Sequence, residues 1–160
     1  MTAIGTCTLR LARLGDARPL ARMSRDYIEH GLTWRWREEN LKKKIGAPET
    51  VVLVAELDVG GVHFIGGFAV MDFMLDKAQL VLLAVHPNLR RRNIGGQLLR
   101  WLHKSARVAG SEHIELQVRA DNYSARRFYQ KFDYLEEALI PGYYDGKQAA
   151  YRMKLRLRDR

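Results

Sequence analysis

Three consecutive arginines, Arg90-Arg91-Arg92, run directly into Asn93-Ile94-Gly95-Gly96, and a strand-like apolar segment from Leu80 to Val85 lies just before them. Behind the loop, Ile94, Leu98, Leu102, Ala106 and Ala109 recur at helical spacing, so the segment opens a helix that closes at Gly110. The first turn of a helix leaves N–H groups without intrahelical partners and carries a partial positive charge. Phosphates bind at such a place. Glycine at 95 and 96 removes the β-carbons that would hold a pyrophosphate away from those amides. Asn93 tolerates the left-handed conformation that shapes the turn, and the guanidinium groups add charge for the remaining phosphate oxygens. The residue types therefore describe a diphosphate cradle; the plainer reading of the same residues is a glycine-rich helix start. The Gly-Lys-Ser/Thr of an ATP loop and the three spaced glycines of a dinucleotide fold are both absent here.

The elements around this segment follow from periodicity. Thr8 to Arg13 reads as a first strand, and Asp16 as the N-cap of a helix carrying Leu20, Met23, Tyr27 and Ile28. An aromatic and basic connector, Gly31 to Arg37, leads to a second helix from Glu38 to Ile45, stopped by Gly46 and Pro48. The valine-rich run Thr50 to Leu57 predicts a strand covered on both faces. Asp58-Val59-Gly60-Gly61 turns the chain into a partner strand, Val62 to Met74. After the third helix come a strand from His113 to Arg119 and a short helix capped by Asn122 or Asp121. That helix shows Ala125, Phe128, Tyr129 and Phe132 on one face. Two strands, Tyr134 to Tyr144 and Ala149 to Leu157, flank the turn Asp145-Gly146-Lys147. The alternating run Arg152 to Arg160 reads as a strand with a solvated face. The expected fold is α/β: a central mixed sheet of about seven strands with about four helices on its faces, residues 1–160 forming a single domain.

With 47% hydrophobic and 28% charged residues, the 160-residue chain has a globular composition that argues against disorder. No apolar run is long enough to cross a bilayer, and Arg10 and Arg13 interrupt the place of a signal peptide's apolar segment. With Cys7 as the one cysteine, no internal disulfide forms. These features point to the cytoplasm, with no membrane partner. A formal charge of +9 suits polyanions: nucleic acid, an acidic membrane or a phosphorylated cofactor. The five histidines show no zinc spacing, so no metal is expected. A serine-hydrolase elbow is also absent.

The segment from Arg90 to Gly95 resembles the acetyl-CoA-binding motif of the GNAT acetyltransferase superfamily: Gln or Arg, two residues, Gly, one residue, then Gly or Ala. Arg90 fits the first position and Gly95 the last, with Asn93 in place of the usual first glycine. Leu83-Ala84-Val85-His86-Pro87 looks like the family's fourth strand, whose backbone pairs with the pantetheine arm. A second stretch, Leu116-Gln117-Val118-Arg119-Ala120-Asp121-Asn122 followed by Ala125, Phe128-Tyr129 and Tyr134, is similar to the later motif of strand, Asn, Ala, Tyr and aromatic. Asp133 stands where a glycine is usual. The ending Pro141-Gly142-Tyr143-Tyr144-Asp145-Gly146, Ala149-Ala150 and Met153 looks like the branch containing ribosomal-protein alanine N-acetyltransferases. The resemblance is specific from about residue 80 to 155. It implies acetyl-CoA as co-substrate, held by Leu83, Ala84, Val85, Arg90, Arg91, Arg92, Asn93, Ile94, Gly95, Gly96, Asn122, Ala125 and Tyr129. It also implies that the strand of 80–85 splays from that of 113–119 to open a slot for cofactor and amine.

Acetyl transfer needs a neutral amine, a polarised thioester carbonyl and a proton for the departing thiolate. A backbone N–H near Val85 can hold the carbonyl oxygen, a contribution of about 3 kcal/mol. Tyr129 is the candidate acid, since a phenol near pKa 10 can protonate a thiolate near 8.5; its other reading is as core. Related enzymes of the branch carry a glutamate where Gln117 stands. Glu115, two residues earlier on the same face, is the substitute base, with a surface or ion-paired glutamate as the alternative. His86 and a water chain are further candidates. A site without a strong base favours α-amines, with pKa about 8, over lysine amines near 10.4. Trp34, Trp36, Tyr143 and Tyr144 are candidates to line the acceptor groove, each readable equally as packing. The basic surface disfavours a polycationic acceptor and admits an acidic peptide or a neutral metabolite. The rival functions are a basic nucleic-acid-binding module built on Arg90 to Arg92, the less favoured partner, and a cofactor-binding member without turnover. A homodimer is open on sequence grounds.

Overall fold

The computed structural model describes residues 5–157, so Arg158 to Arg160 of the terminal basic run lie outside the described residues. Seven strands form one mixed sheet in the order β1-β2-β3-β4-β5-β7-β6. These are β1 (Thr6–Leu11), β2 (Thr50–Val59), β3 (Val62–Phe73), β4 (Lys77–Val85), β5 (His113–Arg119), β6 (Leu135–Tyr144) and β7 (Gln148–Arg156). Four α-helices accompany them among the described residues: α1 (Ala17–Met23), α2 (Glu38–Gly46), α3 (Ile94–Val108) and α4 (Tyr123–Lys131). The seven-strand, four-helix expectation is met. The chain divides into two compact units, Met1–Met71 with Leu82–Leu102 and Asp72–Val81 with His103–Arg160.

In the first unit β1 pairs antiparallel with β2, Thr6 opposite Asp58 and Leu11 opposite Leu53. The first strand thus starts and ends two residues before the expected Thr8 to Arg13. In β2, Val52, Leu53, Val54 and Ala55 are all buried, as expected of an unbroken apolar strand covered on both faces. Asp16 holds the N-cap position of α1, as expected, but its side chain makes no cap bond. It ends a 3₁₀ turn, Leu14–Asp16, where its carboxylate accepts from the Arg13 N–H at 2.7 Å and from the Arg10 guanidinium at 2.8 Å. Arg10 also pairs with Glu56. A two-partner guanidinium outcompetes a single capping bond. Helix α1 widens at its end into a π turn, Ser24–Ile28, closed by the Glu29 N–H on the Ser24 carbonyl at 2.7 Å. Tyr27 and Ile28, expected on the α-helix, belong to this turn.

The second unit is built on antiparallel pairing of β5 with β7 and of β7 with β6. Its strand β4 segment runs parallel to β5, Lys77 opposite His113 and Leu80 opposite Leu116. Ile114, Leu116, Met153 and Tyr134 are buried in its core. Helix α3 ends in a double bond, Ser111 N–H to the Ala106 carbonyl and Gly110 N–H to that of Arg107, with Gly110 at φ +84°. Helix α4 ends the same way on a non-glycine residue: Asp133 sits at φ +71°, Tyr134 N–H reaches the Tyr129 carbonyl, and Asp133 N–H reaches that of Gln130. The family's usual glycine position is therefore left-handed here too, occupied by a residue type that tolerates it. The β6–β7 turn has Asp145 at φ +55° and Gly146 at +69°, closed by Lys147 N–H on the Tyr144 carbonyl, the mirror-image turn that matches strand twist.

Candidate active site

The basic loop of the first unit is shaped by left-handed residues. Arg91 has φ +69° and Asn93 φ +63°, the second as expected from asparagine's tolerance. The first helical bond runs from Gln97 N–H to the Asn93 carbonyl at 3.0 Å. Among the described residues, the N–H groups of Arg91 and of Asn93 to Gly96 make no backbone hydrogen bond. Such a cluster of donors at a helix start, beside left-handed residues, forms the kind of concavity that binds anions. Arg91, Arg92 and Asn93 are exposed, and neither arginine has a carboxylate partner among the described residues. Arg90 is placed differently. Its Nε donates to the Val85 carbonyl at 3.3 Å, folding the side chain back along the end of β4.

Gly67 in β3 sets the height of this helix start. A β-carbon on Gly67 would lie 3.0 Å from the Ala84 carbonyl oxygen, 3.2 Å from Ile94 Cγ2 and 3.4 Å from Leu98 Cδ1. The missing side chain lets α3 lie close over β3 and β4. The neighbouring His86 N–H bonds to the Gly66 carbonyl at 2.8 Å, and the His86 ring accepts from the Asn88 N–H at 3.1 Å, fixing the 3₁₀ turn Pro87–Leu89. That use of the ring gives His86 a positioning task. In β4, Leu82 and Ala84 are buried while Leu83 and Val85 are half-buried. Neither Gly66 nor Gly67 figured in the sequence reading. Two glycines inside an apolar strand pattern are the available signal, since they mark a close backbone approach.

The connector between the π turn and α2 is organised by Glu29, a further residue the sequence reading missed. Glu29 is buried; its carboxylate accepts from Ser24 Oγ at 2.7 Å, from the Arg35 N–H at 2.7 Å and from the Trp36 N–H at 3.2 Å. Its role depends on the π turn that brings Ser24 beside it, and no spacing rule announces that. Trp34 and Trp36 are half-buried, and Trp34 Nε1 donates to the Trp36 carbonyl at 3.2 Å.

In the second unit Asn122 caps α4, its Oδ1 accepting from the Ala125 N–H at 3.1 Å. Tyr129 is buried edge-to-face against Phe128 and Tyr134, at 5.3 and 5.5 Å between ring centres. Burial, with Tyr144 adding to it, raises the Tyr129 phenol well above its ordinary pKa. Burial likewise raises Tyr134, whose hydroxyl bonds His103 Nε2 at 2.9 Å. Tyr143 and Tyr144 meet edge-to-face at 4.9 Å, and the Arg119 guanidinium lies 6.0 Å from the Tyr144 ring. Burial and then Tyr143 push the Tyr144 phenol up to about 12 against the opposing Arg119.

Of the two readings of Glu115, the structure shows the ion-paired one. Its oxygens lie 3.3 Å from Lys77 Nζ and 3.1 Å from His113 Nε2. Burial pushes its pKa up, but the hydrogen bonds from His113 and Lys77 outweigh that and hold it below the ordinary carboxylate value. A carboxylate so held is a weak base. Gln117, at the position of the family's glutamate, accepts from Gln79 Nε2 at 2.7 Å.

A fold of seven mixed strands with a donor-lined, arginine-flanked helix start after the fourth defines the class of acyl-CoA-binding transferases. The acetyltransferase (GNAT) family matches residues 19–134, and the chain belongs to it. Its chemistry is acetyl transfer from acetyl-CoA to an amine. The chain is 29% identical over 152 residues to the N-alpha-acetyltransferase of Saccharolobus solfataricus, covering 91% of this chain and 90% of that protein. It is 37% identical over 103 residues to the uncharacterized N-acetyltransferase MJ1530 of Methanocaldococcus jannaschii, 63% of this chain and 64% of that one. Against the ribosomal protein bS18 alanine N-acetyltransferase of Escherichia coli, identity is 33% over 91 residues, 55% and 62% of the two chains. The match thus spans less than two thirds of the length of these last two. Ard1 from Thermoplasma volcanium superposes with a TM-score of 0.80 at 26% identity, covering 96% of this chain and 99% of that one. Arabidopsis thaliana NAA60 in complex with acetyl-CoA shares the fold, with a TM-score of 0.82 at 17% identity over 95% and 99% of the chains.

Proposed function

We propose that the chain acetylates the α-amine at the N-terminus of a peptide or protein, with the diphosphate of acetyl-CoA on the amides of Arg91 to Gly96. The observation that carries this is the cluster of N–H groups that make no backbone hydrogen bond at the start of α3. Arg91 and Arg92 supply charge to the same phosphates, and the backbone of Leu83 to Val85 pairs with the pantetheine arm. Asn122 and Ala125 contact the cofactor in the same reading. The amine nitrogen attacks the thioester carbon, the C–N bond forms and the C–S bond breaks. The departing sulfur takes its proton from Tyr129 Oη, and Tyr129 recovers one from solvent, which has received the proton of the amine. Burial keeps Tyr129 neutral and able to donate, while its raised pKa makes it a weaker acid than a free phenol.

The α-amine follows from the weakness of the bases. Glu115 is held by Lys77 and His113, and Gln117 cannot accept a proton usefully. An α-amine near pKa 8 gives up its proton at neutral pH at a cost of about 1.4 kcal/mol, whereas a lysine amine near 10.4 needs about 4 to 5 kcal/mol. The N-alpha-acetyltransferase relatives support the same acceptor class. Trp34 in the first unit, and separately Tyr143 and Tyr144 in the second, are the candidates for acceptor contact in this reading.

Thermal melting with acetyl-CoA, together with transfer to two peptides, tests the proposal. One peptide has a free N-terminus and no lysine; the other has a blocked N-terminus and one lysine. Saturating cofactor at a hundred times its Kd adds about 2.7 kcal/mol of stability, or about 5–10 °C in Tm for a chain of this size. Transfer should favour the free N-terminus. A Tm indifferent to acetyl-CoA, or a clear preference for lysine, defeats the reading.

A further inference from the structure

The connector Gly31 to Arg37 holds positive charge in a built arrangement. The Arg37 guanidinium lies 4.6 Å and that of Arg25 5.3 Å from the Trp34 ring. Arg35 and Lys44 lie 5.9 and 5.7 Å from the Trp36 ring. Underneath, Glu29 binds the N–H groups of Arg35 and Trp36, and Asn40 Nδ2 donates to the Arg35 carbonyl at 2.7 Å. The backbone that presents these guanidinium groups is thereby fixed from inside.

The acidic groups nearby are largely engaged elsewhere. Glu29 is directed at backbone N–H groups, Asp26 pairs with Arg25 at 2.8 Å, and Glu38 pairs with Arg18 and Lys42 at 3.3 Å each. Glu39 is exposed on α2. Between residues 22 and 44 there are seven Lys and Arg against four Asp and Glu. Arg35 and Arg37 are exposed, stacked over indoles, and have no carboxylate partner among the described residues. A stacked guanidinium keeps its N–H edge free for an oxyanion, and the stacking has already limited the side chain's freedom. This differs from an ordinary solvated basic surface, where the side chains are mobile.

We propose that Arg35 and Arg37 select acceptor peptides carrying Asp or Glu just behind the acetylated residue. The π turn that leads into the connector touches the end of β4, Tyr27 meeting the His86 ring edge-to-face with centres 5.7 Å apart, so the connector stands beside the strand proposed to hold the cofactor. The inference rests on the proposed peptide N-terminal function and names its substrate class. A carboxylate-bearing peptide fits better than a nucleic acid strand. Base stacking needs open aromatic faces, and each of these indoles already has two cations over it. What the connector leaves free is guanidinium edges, which match carboxylates in pairs.

The test is a ratio measured within each protein. Two peptides with the same free N-terminal residue differ at positions two and three, Asp-Glu in one and Asn-Gln in the other. The parent should show kcat/KM about 5- to 30-fold higher for the acidic peptide, as expected for two partly exposed charge contacts. The difference should lie in KM and shrink between 50 and 300 mM salt. Arg35→Glu/Arg37→Glu should bring the ratio to one or below, and Arg35→Lys/Arg37→Lys should retain part of it. Because each ratio is internal, altered folding or cofactor binding cancels. A parent ratio near one with active turnover of the neutral peptide overturns this inference alone. A ratio unchanged in the Glu variant also overturns it. Transfer to small primary amines but to neither peptide overturns both this and the peptide function. Retention of a single-stranded RNA by the parent, lost in the Glu variant while the peptide ratio stays near one, reassigns the connector to nucleic acid.

Discussion

Replacing Gly67 by alanine puts one methyl group into the contact that seats α3 on the sheet. The new carbon would meet the Ala84 carbonyl oxygen at 3.0 Å, Ile94 Cγ2 at 3.2 Å and Leu98 Cδ1 at 3.4 Å. The first neighbour is strand backbone and cannot turn aside, and the others belong to buried residues of the helix. Ordinary contact with the helix is restored if its start lifts by a few tenths of an ångström, and with the Ala84 carbonyl only if β3 and β4 shift as well. Overpacking of this kind costs about 1–3 kcal/mol, offset by about 0.5–1 kcal/mol for removing a strand glycine. The net loss, about 1–2 kcal/mol, lowers Tm by about 3–6 °C. The amides of Arg91 to Gly96 move with the helix. A displacement of 1 Å can cost a hundredfold in an organised site, so this smaller one should raise KM for acetyl-CoA about 3- to 10-fold. Gly66→Ala is the control. Its carbon would meet Leu57 Cδ1 at 2.5 Å and Leu89 Cδ1 at 2.8 Å, shorter distances but to the ends of side chains that can rotate. Melting curves and initial rates at varied acetyl-CoA measure both effects. A Gly67→Ala protein with Tm within a degree of the parent and cofactor KM within twofold would refute the seating argument.

Glu29→Gln replaces an acceptor-only carboxylate by an amide whose NH₂ must face N–H donors. It should cost about 2–3 kcal/mol, read as a Tm loss of about 5–10 °C; an unchanged Tm would show that the connector's amides do not depend on Glu29. Asn122→Ala should lose about 1 kcal/mol in urea unfolding, with Asn122→Asp losing little, because only the acceptor oxygen matters to the cap. Tyr129, Tyr134 and Tyr144 all have phenol pKa values raised in the folded chain. Above about pH 10 the unfolded chain releases protons that the folded chain keeps, so stability falls as pH rises, with a slope approaching about 4 kcal/mol per pH unit for three groups. Urea midpoints from pH 9 to 11.5 should show this, and Tyr129→Phe should reduce the slope by about a third.

Much of the fold was legible because its periods are strong. The apolar stripe of α3, the alternation of β5 and the Asp145-Gly146 turn need only local chemistry to specify them. Asn93 was readable for the same reason, since asparagine's tolerance of positive φ is a property of the residue itself. Other features depend on tertiary partners. Asp16 takes the cap position its type suggested, but Arg10, brought alongside by β1, draws its carboxylate away from the helix. Glu115 had two sequence readings, and the parallel register placing Lys77 beside His113 turned it into an ion pair. Gly67 matters because of what packs against it, and a lone sequence records the glycine without that neighbour. Arg91 shows the reverse case, a left-handed residue that its side-chain type gives no reason to expect.

Two of the chain's three tryptophans sit in the connector, each within reach of two cations. Indole emission responds to the charge stacked on the ring, so whatever draws a guanidinium edge outward alters the light from Trp34 or Trp36. The connector thus carries an intrinsic optical probe beneath its stacked guanidinium groups, and titrating candidate peptides while watching fluorescence reports binding there without any label.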